Sequence, residues 1–153
     1  MMLSHYSGIL IPNTGEYLFR DGLINGIEWT PSTSGYASCD ISTVLKARAY
    51  MWEGITGTGS ASIAGYADLT GFKKLHFAVS GISVLNGDSP NLRVYPNYVS
   101  LQNEAPFEAV YDLSAIPDLS NTLIMIQSGH LNKQQSSGRM DASITVSAIW
   151  ATR

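Results

Sequence analysis

The sequence predicts an all-β fold, a two-sheet antiparallel β-sandwich, and three observations predict it. Apolar residues recur at every second position in short runs, fourteen Gly and six Pro cut the chain into pieces of strand length, and helical periodicity is nearly absent. A chain of 153 residues suits one core, and no linker divides it, so residues 1–153 are read as a single domain with 1–15 as an extended N-terminal arm.

The elements follow in chain order. Between Ser42 and Trp52, Ala47, Ala49 and Met51 alternate with Arg48, Tyr50 and Trp52, a pattern that suits a strand as well as a helix. Gly54–Gly65 is rich in Gly and Ser and reads as an exposed loop, as does Asn132–Gly138. In Lys74–Val84, Leu75, Phe77 and Val79 face one way, His76, Ala78 and Ser80 the other, and Gly81 marks a bulge. Asn86-Gly87-Asp88 supplies a turn, Leu92–Tyr95 returns as a strand, and Pro96 breaks it. Phe107, Ala109 and Tyr111 share a face, and Leu123–Gln127 is apolar on both sides, as in a strand covered on both faces. The last run sets Ile144, Val146, Ala148 and Trp150 against Ser143, Thr145 and Ser147, which predicts one buried stripe.

Composition excludes several classes of function. Charged residues make up only 14% and the net charge is −3 with both signs scattered, so no basic footprint for nucleic acid exists. No apolar run reaches the length of a transmembrane helix, and Met1–Ile11 has neither the basic nor the apolar stretch of a signal peptide, which predicts synthesis in a cytoplasm without export. The lone Cys39 can form no internal disulfide and reads as a small buried hydrophobe.

Catalytic constellations are not legible. His5, His76 and His130 stand apart, without the spacing that puts two nitrogens on one metal, and His76 reads as an outward polar residue. Gly57-Thr58-Gly59 lacks the following Lys and helix of a phosphate loop, and no nucleophile elbow occurs. No metal, cofactor or catalytic residue is therefore assigned. The aromatics carry more information: Tyr36, Tyr50, Trp52, Tyr66, Tyr95 and Tyr98 lie in or beside segments bounded by Gly and Pro. For Trp29 and Trp150 a core position is expected; Trp52, Tyr95 and Tyr98 fit either the core or a ligand-binding aromatic platform, and these three are the candidate site.

Two segments carry a resemblance. Ala67-Asp68-Leu69-Thr70-Gly71-Phe72-Lys73-Lys74-Leu75-His76-Phe77 resembles the turn and central strand of jelly-roll domains related to carbohydrate-binding modules and galactose-binding-like domains. Together with Val110-Tyr111-Asp112-Leu113-Ser114, Leu123–Ile126, the closing strand and Tyr17–Gly22 leading to Trp29, the order resembles small structural proteins of tailed phages and prophages of Gram-positive bacteria. The resemblance implies a jelly-roll sandwich and a non-enzymatic virion, tail or capsid-associated adhesion protein. Its implied partners are a host-surface glycan or other virion proteins, and a homo-oligomer would cover open sheet edges. A carbohydrate-binding module standing alone is the alternative, and a small polysaccharide-active enzyme a third reading. Many carbohydrate-binding relatives hold calcium; Glu16 and Asp141 are the acids that could serve, but no Ca²⁺-loop spacing surrounds them.

Overall fold

The computed structural model describes residues 3–6, 9–12, 16–20, 22, 27–134 and 138–153. Leu3–Tyr6 (β1) and Ile9–Pro12 (β2) pair with each other in a two-stranded sheet, within the segment expected to form an arm. Residues 1–2, 7–8 and 13–15 of that segment, and 135–137 of the loop expected at Asn132–Gly138, lie outside the described residues.

Two six-stranded antiparallel sheets make up the body. The back sheet runs Phe107–Asp112 (β11), Lys74–Leu85 (β8), Met140–Thr152 (β14), Leu45–Met51 (β6) and Ala37–Ile41 (β5), with Glu16–Arg20 (β3) continuing beside β14 where β6 ends. The front sheet runs Asn97–Val99 (β10), Asn91–Val94 (β9), Thr122–Gln127 (β12) and Gly57–Ala67 (β7). Thr30–Gly35 (β4) lies on the far side of β7, and Leu131–Lys133 (β13) extends the line of β12. From β6 onward the chain alternates between sheets: β6 back, β7 front, β8 back, β9 and β10 front, β11 back, β12 front, β14 back. β14 returns to lie between β6 and β8, and β12 between β7 and β9. That double return is jelly-roll topology.

Period-two burial joins the sheets. Leu45, Leu75, Phe77, Val79, Ile144 and Val146 from the back sheet meet Ile63, Leu92, Val94, Ile124 and Ile126 from the front sheet in one cluster. Each such side chain taken fully out of water contributes roughly 1.5–3 kcal/mol. Among the described residues one 3-10 turn, Leu113–Ala115, interrupts the strands, and no helix is long and apolar enough to cross a membrane. Asp68, Asp112 and Asp118 each accept the backbone N–H two residues on, from Thr70, Ser114 and Ser120; the hydroxyl and N–H of Thr70 hold Asp68, and the N–H and hydroxyl of Ser114 and Ser120 hold Asp112 and Asp118, below the usual carboxylate range.

Four assignments change, one of them at Asn132–Gly138, expected as a loop, where Asn132 and Lys133 belong to β13 because they pair with Thr58 and Gly57 of β7. Gly54–Gly65, expected as a loop, is largely β7: its inner face is built from Gly59, Ala61, Ile63 and Gly65, so small residues admit neighbours closely instead of loosening the chain. Leu123 and Met125 stay half-exposed, so β12 is covered on one face only. The last stripe also splits. Ile144 and Val146 enter the core, whereas Ala148 and Trp150 turn to the opposite face and form a separate cluster with Ala78 and Tyr17. The cause is a pair of bulges. Register against β8 skips Ser80 and then Ser147, and Ser147 Oγ donates to Ser80 Oγ at 2.7 Å. The bulge expected near Gly81 is thus present and doubled. Trp150 is buried, as expected, but on the outer side of the back sheet.

One edge is closed by a chain that changes sheets. β4 belongs to the front and β5 to the back; between them Tyr36 donates its N–H to Thr58 O and accepts from Tyr50 N, tying both sheets at the corner. Gly59 lies under this crossing, where a Cβ would sit 2.4 Å from Tyr36 O. Gly59→Ala is expected to lower unfolding stability in urea by about 1–3 kcal/mol, whereas Gly138→Ala, with open space around it, stays within about 0.5 kcal/mol.

Candidate functional site

The outer face of the front sheet is open, and the strand register fixes what it shows. Residues paired across neighbouring strands line up as rows: Tyr98, Arg93, Met125, Ala64 and Thr30 form one; Asn91, Gln127, Ser62 and Ser32 form the next. Ser60 pairs with Ser34 beyond them, and Leu123 with Tyr66 on the other side, where Tyr95 donates its N–H to Leu123 O. Five strands at about 4.8 Å spacing make this face roughly 19 Å wide. It grades from aromatic to hydroxyl-bearing.

The aromatic end holds Tyr66, Tyr95 and Tyr98, exposed to 57%, 52% and 64%. Arg93 lies over two of these rings, 5.1 Å from the centre of Tyr95 and 4.5 Å from that of Tyr98, and its Nη2 donates to Pro96 O at 3.1 Å. The guanidinium therefore fixes the hairpin that carries both tyrosines.

At the hydroxyl end a hollow of about 300 Å³ is lined by Ser32, Ser60, Ser62, Asn91, Gln127 and His130, among others, within the size range of ligand sites. Its wall is the turn after β8. Asn86 takes a left-handed φ of 57°, and the turn comes down on Gly129, where a Cβ would meet Asp88 O at 1.7 Å; only glycine admits that approach. Ser128 completes the floor: its Oγ accepts from Ala61 N at 2.9 Å and donates to Gly129 O at 3.0 Å. Asn91 Oδ1, although shielded from solvent, has no partner among the described residues, leaving an acceptor in the lining of the hollow.

Trp52 lies elsewhere. It follows β6 of the back sheet, next to the start of β7, whereas Tyr95 sits beside the other end of β7. From Gly57 to Tyr66 the strand advances nine residues, about 30 Å at ~3.3 Å per residue. The structure brings Tyr95 and Tyr98 together and joins Tyr66 to them, but it does not bring Trp52 into that group. Trp52 is 51% exposed and packs edge-on against Tyr36 at 5.6 Å and beside Tyr50 at 6.3 Å. Arg48 lies 4.4 Å over Tyr50 and donates through Nε and Nη2 to the two carboxylate oxygens of Asp141 at 3.3 and 3.1 Å. Asp141 is thus committed to an ion pair. Glu16, opposite Ala151, is ten residues further along β14, about 33 Å away, so the two acids cannot share a cation.

Sequence reasoning missed a buried cation. Lys133 is only 4% exposed, and its Nζ donates to Gly138 O at 2.7 Å and to Trp52 O at 3.2 Å. Amid Asn and Gln it reads as a solvated loop lysine; only the alternation of β13 hints at its inward direction. Cys39, expected buried, is half-buried on edge strand β5, with Sγ 3.3 Å from Ser62 O; burial pushes its thiol pKa up.

His76 does face outward, as expected, but it is not a free polar residue. Its ring stacks on Trp150 at 5.0 Å and 7°. Nδ1 lies 2.7 Å from Glu108 Oε1, an acceptor, so Nδ1–H donates there in the neutral ring and Nε2 accepts from Thr152 Oγ1 at 2.8 Å. The order acid, imidazole, hydroxyl matches that of a hydrolytic triad. Here the hydroxyl stands at the end of β14, where the Thr152 carbonyl takes the Lys73 N–H, and none of the three residues lines the hollow of the front face. Structurally the relay joins β8, β11 and β14.

Compared with known proteins, the chain matches no family model and no curated sequence. Lys133→Met is expected to cost about 1.5–3 kcal/mol of stability, the worth of hydrogen bonds to a charged group, and to shift Trp52 emission as its backbone anchor is lost; urea unfolding followed by fluorescence checks both.

Proposed function

We propose that this protein is a non-enzymatic adhesion module that binds a surface glycan across the outer face of its front sheet. One observation carries the reading: register puts exposed Tyr66, Tyr95 and Tyr98 on the same face as a hollow lined by hydroxyl and amide side chains. Sugars need both. Their C–H faces lie against aromatic rings, and their hydroxyls exchange hydrogen bonds with groups that both donate and accept. Ser, Asn and Gln meet that demand without the cost of burying an unpaired charge. A flat or shallow face of this size also suits a chain of sugars better than a small metabolite.

The setting proposed is a virion of a tailed phage or prophage, on the resemblance of the strand-and-turn segments around Asp68–Phe77 and Val110–Ser114. There the protein would act in a tail or capsid-associated position as a homo-oligomer. A carbohydrate-binding module working beside an enzyme uses the same face, and the genes flanking this one separate the two settings.

Calorimetry against oligosaccharides released from Gram-positive cell-wall polysaccharide, together with xylose and β-glucose oligosaccharides, tests the reading. Tyr98→Ala and Gln127→Ala are each expected to weaken binding about tenfold or more, equivalent to roughly 1.4 kcal/mol, with thermal stability kept. Absence of binding to every member of the panel, or binding indifferent to both substitutions, contradicts it.

A further inference from the structure

The end of the sandwich around Trp52 is built as if to keep one indole rigid and in water. Its backbone carbonyl is held by buried Lys133, its ring is braced by Tyr36 and Tyr50, and Tyr50 is in turn held by Arg48, itself locked to Asp141. Nothing in this scheme buries the indole, which remains half-exposed while Trp29 and Trp150 are 6% and 1% exposed. A large rigid aromatic face kept open costs free energy in water unless a ligand covers it.

Hollows flank it on both sides. One, of about 570 Å³, is lined by Tyr50, Trp52, Glu53, Leu85, Asn86 and Arg139. The other, of about 370 Å³, lies toward Tyr36, Ser38 and Arg48. Tyr50 and Trp52 contribute rings to the larger hollow, and Glu53, Arg139 and Asn86, whose Nδ2 already donates to Arg139 O at 3.4 Å, contribute polar groups. The charges at the larger hollow are of both signs, which disfavours a strongly anionic ligand.

We propose that Trp52 is the platform of a second, separate sugar-binding site, which takes a neutral pyranose ring against the indole with its hydroxyls toward Asn86, Glu53 and Arg139. The inference rests on the glycan-binding reading of the front face and deepens it: the indole and the Tyr66, Tyr95 and Tyr98 rings stand at opposite ends of β7, about 30 Å apart, and give one polysaccharide or two chains two aromatic points of contact. Ordering few residues on binding favours affinity, and the Lys133 and Arg48 anchors already do that ordering.

The three tryptophans allow a direct test. Only Trp52 is accessible to acrylamide, and the front face holds no tryptophan, so quenching reports occupancy of the second site alone. The probes are the disaccharides and trisaccharides of the xylose and β-glucose series, too short to reach from the indole to the tyrosines at the far end of β7. Saturating sugar is expected to lower the quenching constant by about twofold or more, since a stacked ring shields the indole face. The same protection is expected in Tyr98→Ala, and Trp52→Phe is expected to retain the fold by circular dichroism while losing this binding event in calorimetry. Sugar binding that Tyr98→Ala abolishes, with Trp52 quenching unchanged throughout, overturns the second site and leaves the front face standing. No binding by any sugar overturns both.

Discussion

The jelly roll depends on the pairing of β14 with β8. β14 is the longest strand, lies at the centre of the back sheet, and pairs with β8 along nearly its whole length while β6 and β3 share its other edge. Such a long pair cannot keep one face inward throughout, because sheet twist turns its ends away from the core. The twin bulges at Ser80 and Ser147 resolve this. They reset the parity of both strands, keep Val79, Phe77, Val146 and Ile149 inward, and send Trp150 and Ala148 out to their own cluster with Tyr17. Ser147 Oγ donates to Ser80 Oγ, which in turn donates to Thr145 O at 3.5 Å, so the hydroxyls tie the two bulges together.

Much of this was legible in the sequence, and the exceptions have physical causes. β8, β11 and the first half of β14 are legible because their buried positions hold mostly Leu, Phe, Ile and Val beside polar outer positions, whereas β6 suits a helix as well as a strand because its buried positions include Ala47, Ala49 and Met51. β7 is not legible, because its buried positions include Gly59, Ala61 and Gly65, small so that Tyr36 and Trp29 can approach. The parity change in β14 was hidden because Ala148, Ile149, Trp150 and Ala151 are apolar on both faces, so no slip shows in the pattern.

For the site, exposure was easier to read than position. Turn residues around Tyr95 and Tyr98, and Gly54 after Trp52, marked those rings as candidates for solvent. What sequence could not supply was the jelly-roll path, which places β9–β10 and the β6–β7 turn at opposite ends of the molecule. The serine, asparagine and glutamine lining escaped notice for a similar reason: Ser32, Ser62, Asn91 and Gln127 come from four strands and meet only through register. Lys133 looks like any loop lysine until its two carbonyl partners are in place.

The β8–β14 pair is expected to be the last structure to open, with the front face resting on a body that stays closed. Native-state hydrogen exchange measured residue by residue addresses this. Backbone amides that bond within the β8–β14 ladder should exchange only through global unfolding, while those of the edge strand β4 should exchange through local opening at far lower free energy. Exchange of the β8–β14 amides at the rates of β4, with the remaining core still protected, would contradict it.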